Sequence, residues 1–204
     1  MYFSRCYGEG DNDYFCKLMR STRDGDSWSD PKILDFIEPN VNYGHPALSD
    51  DGQSLYYSAN HPDGWGGYDI FVVQKQGEGW TEPKLLGRNV NTIGDEKFPF
   101  VDKDTLYFAS NHHPGMGGLD IFKTYQRDGA WTPVQNLKAP INSGADDFGY
   151  VVDPSFAKKG KEIQAGYFSS SRIDGEGNDD IYRLSLIHIS SPRDATLSRM
   201  PSSA

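Results

Sequence analysis

An all-β fold built from a repeated unit is predicted by three features of this 204-residue sequence. First, one design recurs along the chain. It reads "LYYSANHPDGWGGYDIF" at 55–71, "LYFASNHHPGMGGLDIF" at 106–122 and "GYFSSSRIDGEGNDDIY" at 166–182, with a worn copy, "YFSRCYGEGDNDYF", at 2–15. Second, the landmarks keep register. Asp69 and Asp120 are 51 residues apart, and Asp69, Trp80 and Asn91 share their spacing of 11 and 11 with Asp120, Trp131 and Asn142. Third, the content is strand-like throughout, and no stretch carries the period of an amphipathic helix. A period of about 40–50 residues with strand content indicates a β-propeller blade or a related array.

Each repeat divides into four strand candidates. In the second repeat they are 46–49, 55–60, 68–75 and 83–87, separated by "DDGQ", the glycine-rich loop and "GEG". Aromatic and β-branched residues fill them, as a packed pleated surface requires. "LYY" and "DIFVV" do not alternate, the pattern of strands covered on both faces, and neighbouring blades cover one another in that way. The expected architecture is a β-propeller of four-stranded antiparallel blades, an incomplete arc of about three to four blades where closed propellers use about four to eight. The units are a partial blade over 1–42, blades over 43–92 and 93–144, a partial blade over 145–183, and a tail over 184–204. Residue 1 falls inside a blade, so the chain reads as a piece of a longer propeller whose missing blades are an expected partner. An unclosed arc is expected to self-associate through the apolar face at each end.

Composition narrows the function. A net charge of -9 argues against nucleic acid, and 13% aromatic residues exceed what a disordered acidic segment carries. No apolar run is long enough to span a membrane. Cys6 and Cys16 are expected as two packed thiols. Aligned on the second repeat, one sits at the hairpin mouth and the other well down the return strand, beyond the reach of about 7 Å for a disulfide. The cysteines therefore leave the compartment open.

The glycine-rich loop is not expected to cradle phosphate, because "GWGGYD" opens no helix. Its glycines are expected at positive φ in a tight bend. The aspartate closing each loop (Asp13, Asp69, Asp120, Asp180) is expected to accept bonds from loop N–H groups, with a cation site as the competing use. Trp28, Trp80 and Trp131 recur at one position and are expected to pack between blades. Trp65 is different, since Met116 and Glu176 hold the equivalent place, and is a candidate contact residue.

Blade topology is expected to gather the candidate binding residues His45, Asp63, Trp65, Asp95, Glu96, His113, Asp146 and Asp147 on one acidic rim, with His112 and Asp174 nearby and Lys158, Lys159 and Lys161 opposite. His112 and His113 are expected to be solvated, since adjacent loop residues rarely ligate one metal. No metal, no cofactor and no catalytic residue is expected. The carboxylates recur with the repeat, whereas a catalytic pair would break the symmetry. The alternative is a fragment of a propeller hydrolase, a sialidase-like glycosidase, because "STRDGDSW" at 21–28 faintly resembles an Asp-box. Its Asp is out of register.

The ordered elements "YYSANHPDGWGGYDIF", "GEGWTEPKLLGRNVNTIGDE", "LYFASNHHPGMGGLDIF" and "AWTPVQNLKAPINSGADDF" resemble the WD40-like, TolB-type β-propeller repeat. More narrowly, they resemble the form in OmpA-family, peptidoglycan-associated envelope proteins, over residues 1 to about 183. The resemblance implies a non-catalytic interaction module, a protein or glycan partner in the envelope, and a periplasmic, outer-membrane-associated location. Peptidoglycan binding belongs to a separate domain of that family and is not carried over. "GNDDIYRL" is similar to the family's last blade. From about residue 184 the pattern fails. Ser191 stands where the repeat expects Trp, and "LSLIHIS" resembles the translation of a transposon end used in sequencing libraries. The tail is expected to be non-native, or otherwise disordered.

Overall fold

The computed structural model describes residues 1–8, 15–153, 162–173, 175–187 and 195–200. Among them every regular element is a strand. The chain divides into two compact units, Met1–Asp104 and Thr105–Ala204.

In the first unit, β1 (Tyr2–Tyr7), β2 (Phe15–Arg20), β3 (Arg23–Asp24), β4 (Ser27–Trp28) and β5 (Lys32–Ile33) form the first repeat. Their main sheet has the order β1-β2-β5, and β3 pairs with β4. The second repeat holds β6 (Tyr43–Leu48), β7 (Ser54–Ala59), β8 (Asp69–Gln76), β9 (Gly79–Trp80) and β10 (Lys84–Leu85) in the order β10-β8-β7-β6, with β9 on β8. β11 (Glu96–Asp102) opens the third repeat. The core of this unit is aromatic and aliphatic, with Leu18, Leu55, Tyr57, Phe71, Val73 and Trp80 in one buried cluster. Tyr57 and Phe71 stack at 5.9 Å across the β7–β8 pair.

In the second unit, β12 (Thr105–Ser110) pairs antiparallel with β13 (Asp120–Arg127), as the repeat requires. β14 (Ala130–Trp131) and β15 (Gln135–Asn136) both pair with β13. The last sheet runs β16 (Asp147–Val152), β17 (Glu162–Ser170), β18 (Asp180–Ile187) and β19 (Ala195–Arg199) in that order. The first strands of the later repeats begin at Tyr43, Glu96 and Asp147, beside the expected breaks at 43, 93 and 145.

Two expectations are corrected here. Residues 195–199 are not an unstructured tail, because β18 offers an edge and β19 takes it from Tyr182↔Arg199 to Leu186↔Ala195. Cys6 and Cys16 are not free thiols but a disulfide, with Cα atoms 3.8 Å apart. They are direct cross-strand partners. The register explains the difference. Ile33 pairs with Met19 as Leu85 pairs with Phe71, so Lys17, not Asp13, is the counterpart of Asp69. The first hairpin therefore runs two rungs further, through Cys6↔Cys16 and Tyr7↔Phe15, before it turns. Asp13 lies outside the described residues.

A bridge closing a loop of 10 residues stabilises chiefly by restricting the unfolded chain. Cys6→Ser combined with Cys16→Ser is expected to lower the unfolding free energy by about 2–3 kcal/mol. Urea melts of the two proteins measure it, and equal midpoints would show that the bridge contributes nothing.

Candidate functional site

The glycine-rich loop is held from inside by its closing aspartate. Asp69 Oδ2 accepts the N–H groups of Trp65 and Gly66 at 2.8 and 3.0 Å. Asp120 repeats this with Met116 and Gly117 at the same distances, and Asp180 with Glu176 and Gly177 at 2.8 and 3.4 Å. Asp69 and Asp120 are fully buried. Their second oxygens, Oδ1, have no hydrogen-bond partner among the described residues. No group of three or more His, Cys, Asp or Glu there could hold a metal ion.

The expected positive φ of the loop glycines is corrected. Among the described residues the left-handed glycines are Gly25, Gly52, Gly77, Gly129 and Gly149, and none belongs to these loops. Close approach is the real constraint. A Cβ on Gly66 would collide with the Gly94 carbonyl, and one on Gly67 with Asp95 Oδ1. Gly117 and Gly118 meet Ala145 and Asp146 in the same way.

The carboxylates thought to form an open rim are largely consumed by the fold. Asp95 Oδ1 accepts the Tyr68 N–H at 2.9 Å while Oδ2 pairs with Lys97 Nζ at 2.9 Å. Asp146 Oδ1 accepts the Leu119 N–H at 2.7 Å, although its residue stays exposed. Glu96 and Asp147 are fully buried, which corrects their expected place on the surface. Each folds back on a local turn. Glu96 takes the Thr92 N–H and hydroxyl, both at 2.7 Å. Asp147 takes those of Ser143 at 2.6 and 2.8 Å, plus Arg172 Nη2 at 2.6 Å.

The histidines also differ from expectation. His45 sits in a β-bulge of β6 between Gly44 and Ala47, at φ 53°, rather than on a loop. Its Nδ1 lies 2.6 Å from Ser58 Oγ, and its ring lies against that of Phe98, with centroids 3.9 Å apart and planes tilted by 38°. Burial, then the nearby Lys97 ammonium, lowers its pKa to about 4. His112 is exposed, but His113 packs on Phe122 and Phe108 at 5.2 and 5.8 Å. Arg172 and His61 occupy the matching place over Phe168–Tyr182 and Phe71. Only a comparison of the hairpin mouths, where side-chain type changes but position does not, could have revealed them.

Trp80 is 8% exposed, and its ring meets Tyr2 edge-on at 5.9 Å. Trp131 is partly buried. Trp28, expected to pack likewise, is 51% exposed. Trp65 is 37% exposed, with the Arg88 guanidinium 4.8 Å from its ring centroid. Arg88 makes no ion pair among the described residues. Asp63 reaches into solvent with 87% of its side chain, near His61 at 3.8 Å. Trp65, Arg88 and Asp63 thus place an accessible aromatic, cation and anion on or beside the glycine-rich loop of the second repeat. Asp174, Lys158, Lys159 and Lys161 lie outside the described residues.

These antiparallel sheets, repeated along the chain, define a protein of the β-propeller class. No protein-family model matches the sequence, and no curated protein matches it. Among solved structures, the crystal structure of the tricorn protease is similar, with a TM-score of 0.53 and 14% identity over 99% of this chain. This chain spans 22% of that one, and a likeness at that identity concerns the fold alone.

Two outcomes follow from the site geometry. Gly66→Ala is expected to destabilise by about 2–3 kcal/mol through overpacking against backbone. Gly87→Ala, where nothing lies within 4 Å, is expected to change stability by no more than about 0.5 kcal/mol. Denaturant melts compare them. His45 has a folded-state pKa of about 4, below its ordinary 6.5, so the unfolded chain binds the additional proton between those values. Its contribution is complete above pH 6.5 and is lost as pH falls towards 4. Between about pH 7 and about pH 4.5 the wild type should lose about 2 kcal/mol more stability than His45→Asn, which tolerates the same backbone. An equal loss in both would assign the pH dependence elsewhere.

Proposed function

We propose that this chain is a non-catalytic interaction module of a bacterial cell-envelope protein, which binds a protein or glycan partner through the loop carrying Trp65. One observation carries the reading. The repeat fixes nearly every residue of the loop by hydrogen bonds or close contact, yet leaves the Trp65 position free to vary, and there the chain places an exposed indole capped by the Arg88 guanidinium. An aromatic of this kind supplies buried area on binding, and Arg88 over its ring, with Asp63 two residues earlier in the loop, can orient hydrogen-bonding groups of a partner. The recurrent carboxylates accept backbone N–H groups, a structural use that favours binding over acid–base chemistry.

The envelope assignment rests on the resemblance of the ordered repeat elements and is supported by the Cys6–Cys16 disulfide, since such bridges persist in oxidising compartments outside the cytosol. Capture from envelope extract tests the reading. Trp65→Ala combined with Asp63→Asn is expected to lower capture at least about tenfold. Lys158→Ala combined with Lys159→Ala is expected to leave it unchanged. The reverse pattern would move the binding surface to the lysine-bearing segment.

A further inference from the structure

Equivalent residues of successive repeats differ sharply in exposure, and the differences fall on two faces. Tyr2, Tyr56, Tyr107 and Tyr167 share one register position, paired with Arg20, Val72, Lys123 and Arg183. Leu18, Ile70, Ile121 and Ile181 share another on the same face, paired with Ser4, Ser58, Ala109 and Ser169. Leu18, Ile70 and Ile121 are buried to within 1%, whereas Ile181 is 55% exposed. The opposite comparison holds for the tryptophans. Trp80 of the second repeat is buried against Tyr2 of the first, in the cluster that contains Leu18. Trp28, at the same place relative to its own strand, stands in water with Ile33, which is 49% exposed. One face thus shows the donor half of the Trp80 contact, and the other shows the acceptor half.

We propose that two copies of this chain associate head to tail, with Trp28 and Ile33 of one copy seated on Tyr167 and Ile181 of the next. The contact repeats the Trp80–Tyr2–Leu18 arrangement already present within the first unit. Continuity with that interface identifies the occupant, because the face around Ile181 has the same residue types in the same register as the face that Trp80 covers. The two halves are different surfaces, so the association is heterologous and can extend beyond a pair.

Sedimentation velocity over a dilution series of the 204-residue chain tests this. The wild type is expected to associate with rising concentration. Trp28→Ala alone, and Ile181→Asp alone, should each weaken association at least about tenfold. Both substitutions are at exposed positions, and an unchanged circular-dichroism melt verifies that the fold persists. An equimolar mixture of the two variants retains one intact junction per pair and should run as a dimer and no larger. Three results would overturn the proposal: a monomer at every concentration, association indifferent to both substitutions, or a mixture no better associated than either variant alone.

Discussion

A side-chain oxygen at the junction between repeats, accepting an amide from the mouth of the preceding hairpin, is the interaction on which these sheets depend. Asn42 Oδ1 takes the Cys16 N–H at 2.9 Å, Asp95 Oδ1 takes Tyr68 at 2.9 Å, and Asp146 Oδ1 takes Leu119 at 2.7 Å. In the latter two repeats a backbone bond lies beside the clasp, from Glu96 to the Tyr68 carbonyl and from Asp147 to the Leu119 carbonyl. The clasp satisfies amides that a sharp turn would otherwise leave unpaired near a buried surface, where each such group costs about 1–3 kcal/mol. It also brings a peptide and a carboxylate so close to the loop that only hydrogen fits at Gly66 and Gly67. Glycine content here follows from the clasp, not from backbone handedness.

A second layer of polar groups fixes the hairpin behind the clasp. Asn91 and Asn142 are buried, and each accepts from and donates to the backbone of Ile70 or Ile121. Such buried amides stabilise only when fully bonded, and both are. His61, His113 and Arg172 then close the hairpin mouths by lying against the aromatic pairs. Arg172 adds hydrogen bonds to Ser170, Pro140, Ile141 and Asp147. The burial of Asp147 is thereby compensated by a charge partner and two local donors, a condition that buried carboxylates require.

The all-β fold and its repeated antiparallel unit were legible, because a 51-residue recurrence of Asp, Trp and Asn with strand-like content points to stacked units of the same kind. Pairwise detail was less so. Cys6 and Cys16 were misread because the sequence alignment set Asp13 against Asp69, whereas the strand register sets Lys17 there and carries the first hairpin two rungs further. Composition could not show that Glu96 and Asp147 turn inward, since a Thr or Ser four residues earlier decides it and both are ordinary loop residues. The exposure of Trp28 was hidden for another reason. The repeat predicts what a position can contact, but not whether a neighbour stands there to be contacted.

Positions that the repeat holds constant and positions it lets vary have different uses. Asp69, Asp120 and Asp180 keep one geometry because every loop needs its amides bonded. The third residue of the first strand is His45, Phe98 or Gly149, all at positive φ, so the backbone recurs while the side chain varies. Trp65, Met116 and Glu176 likewise share one backbone environment with unrelated chemistry. Where the fold demands a conformation but no side chain, a substitution alters the surface without altering stability. A repeat protein acquires a specific contact most easily at such places. Trp65 satisfies both conditions, since the structure needs its N–H for Asp69 and asks nothing of its indole.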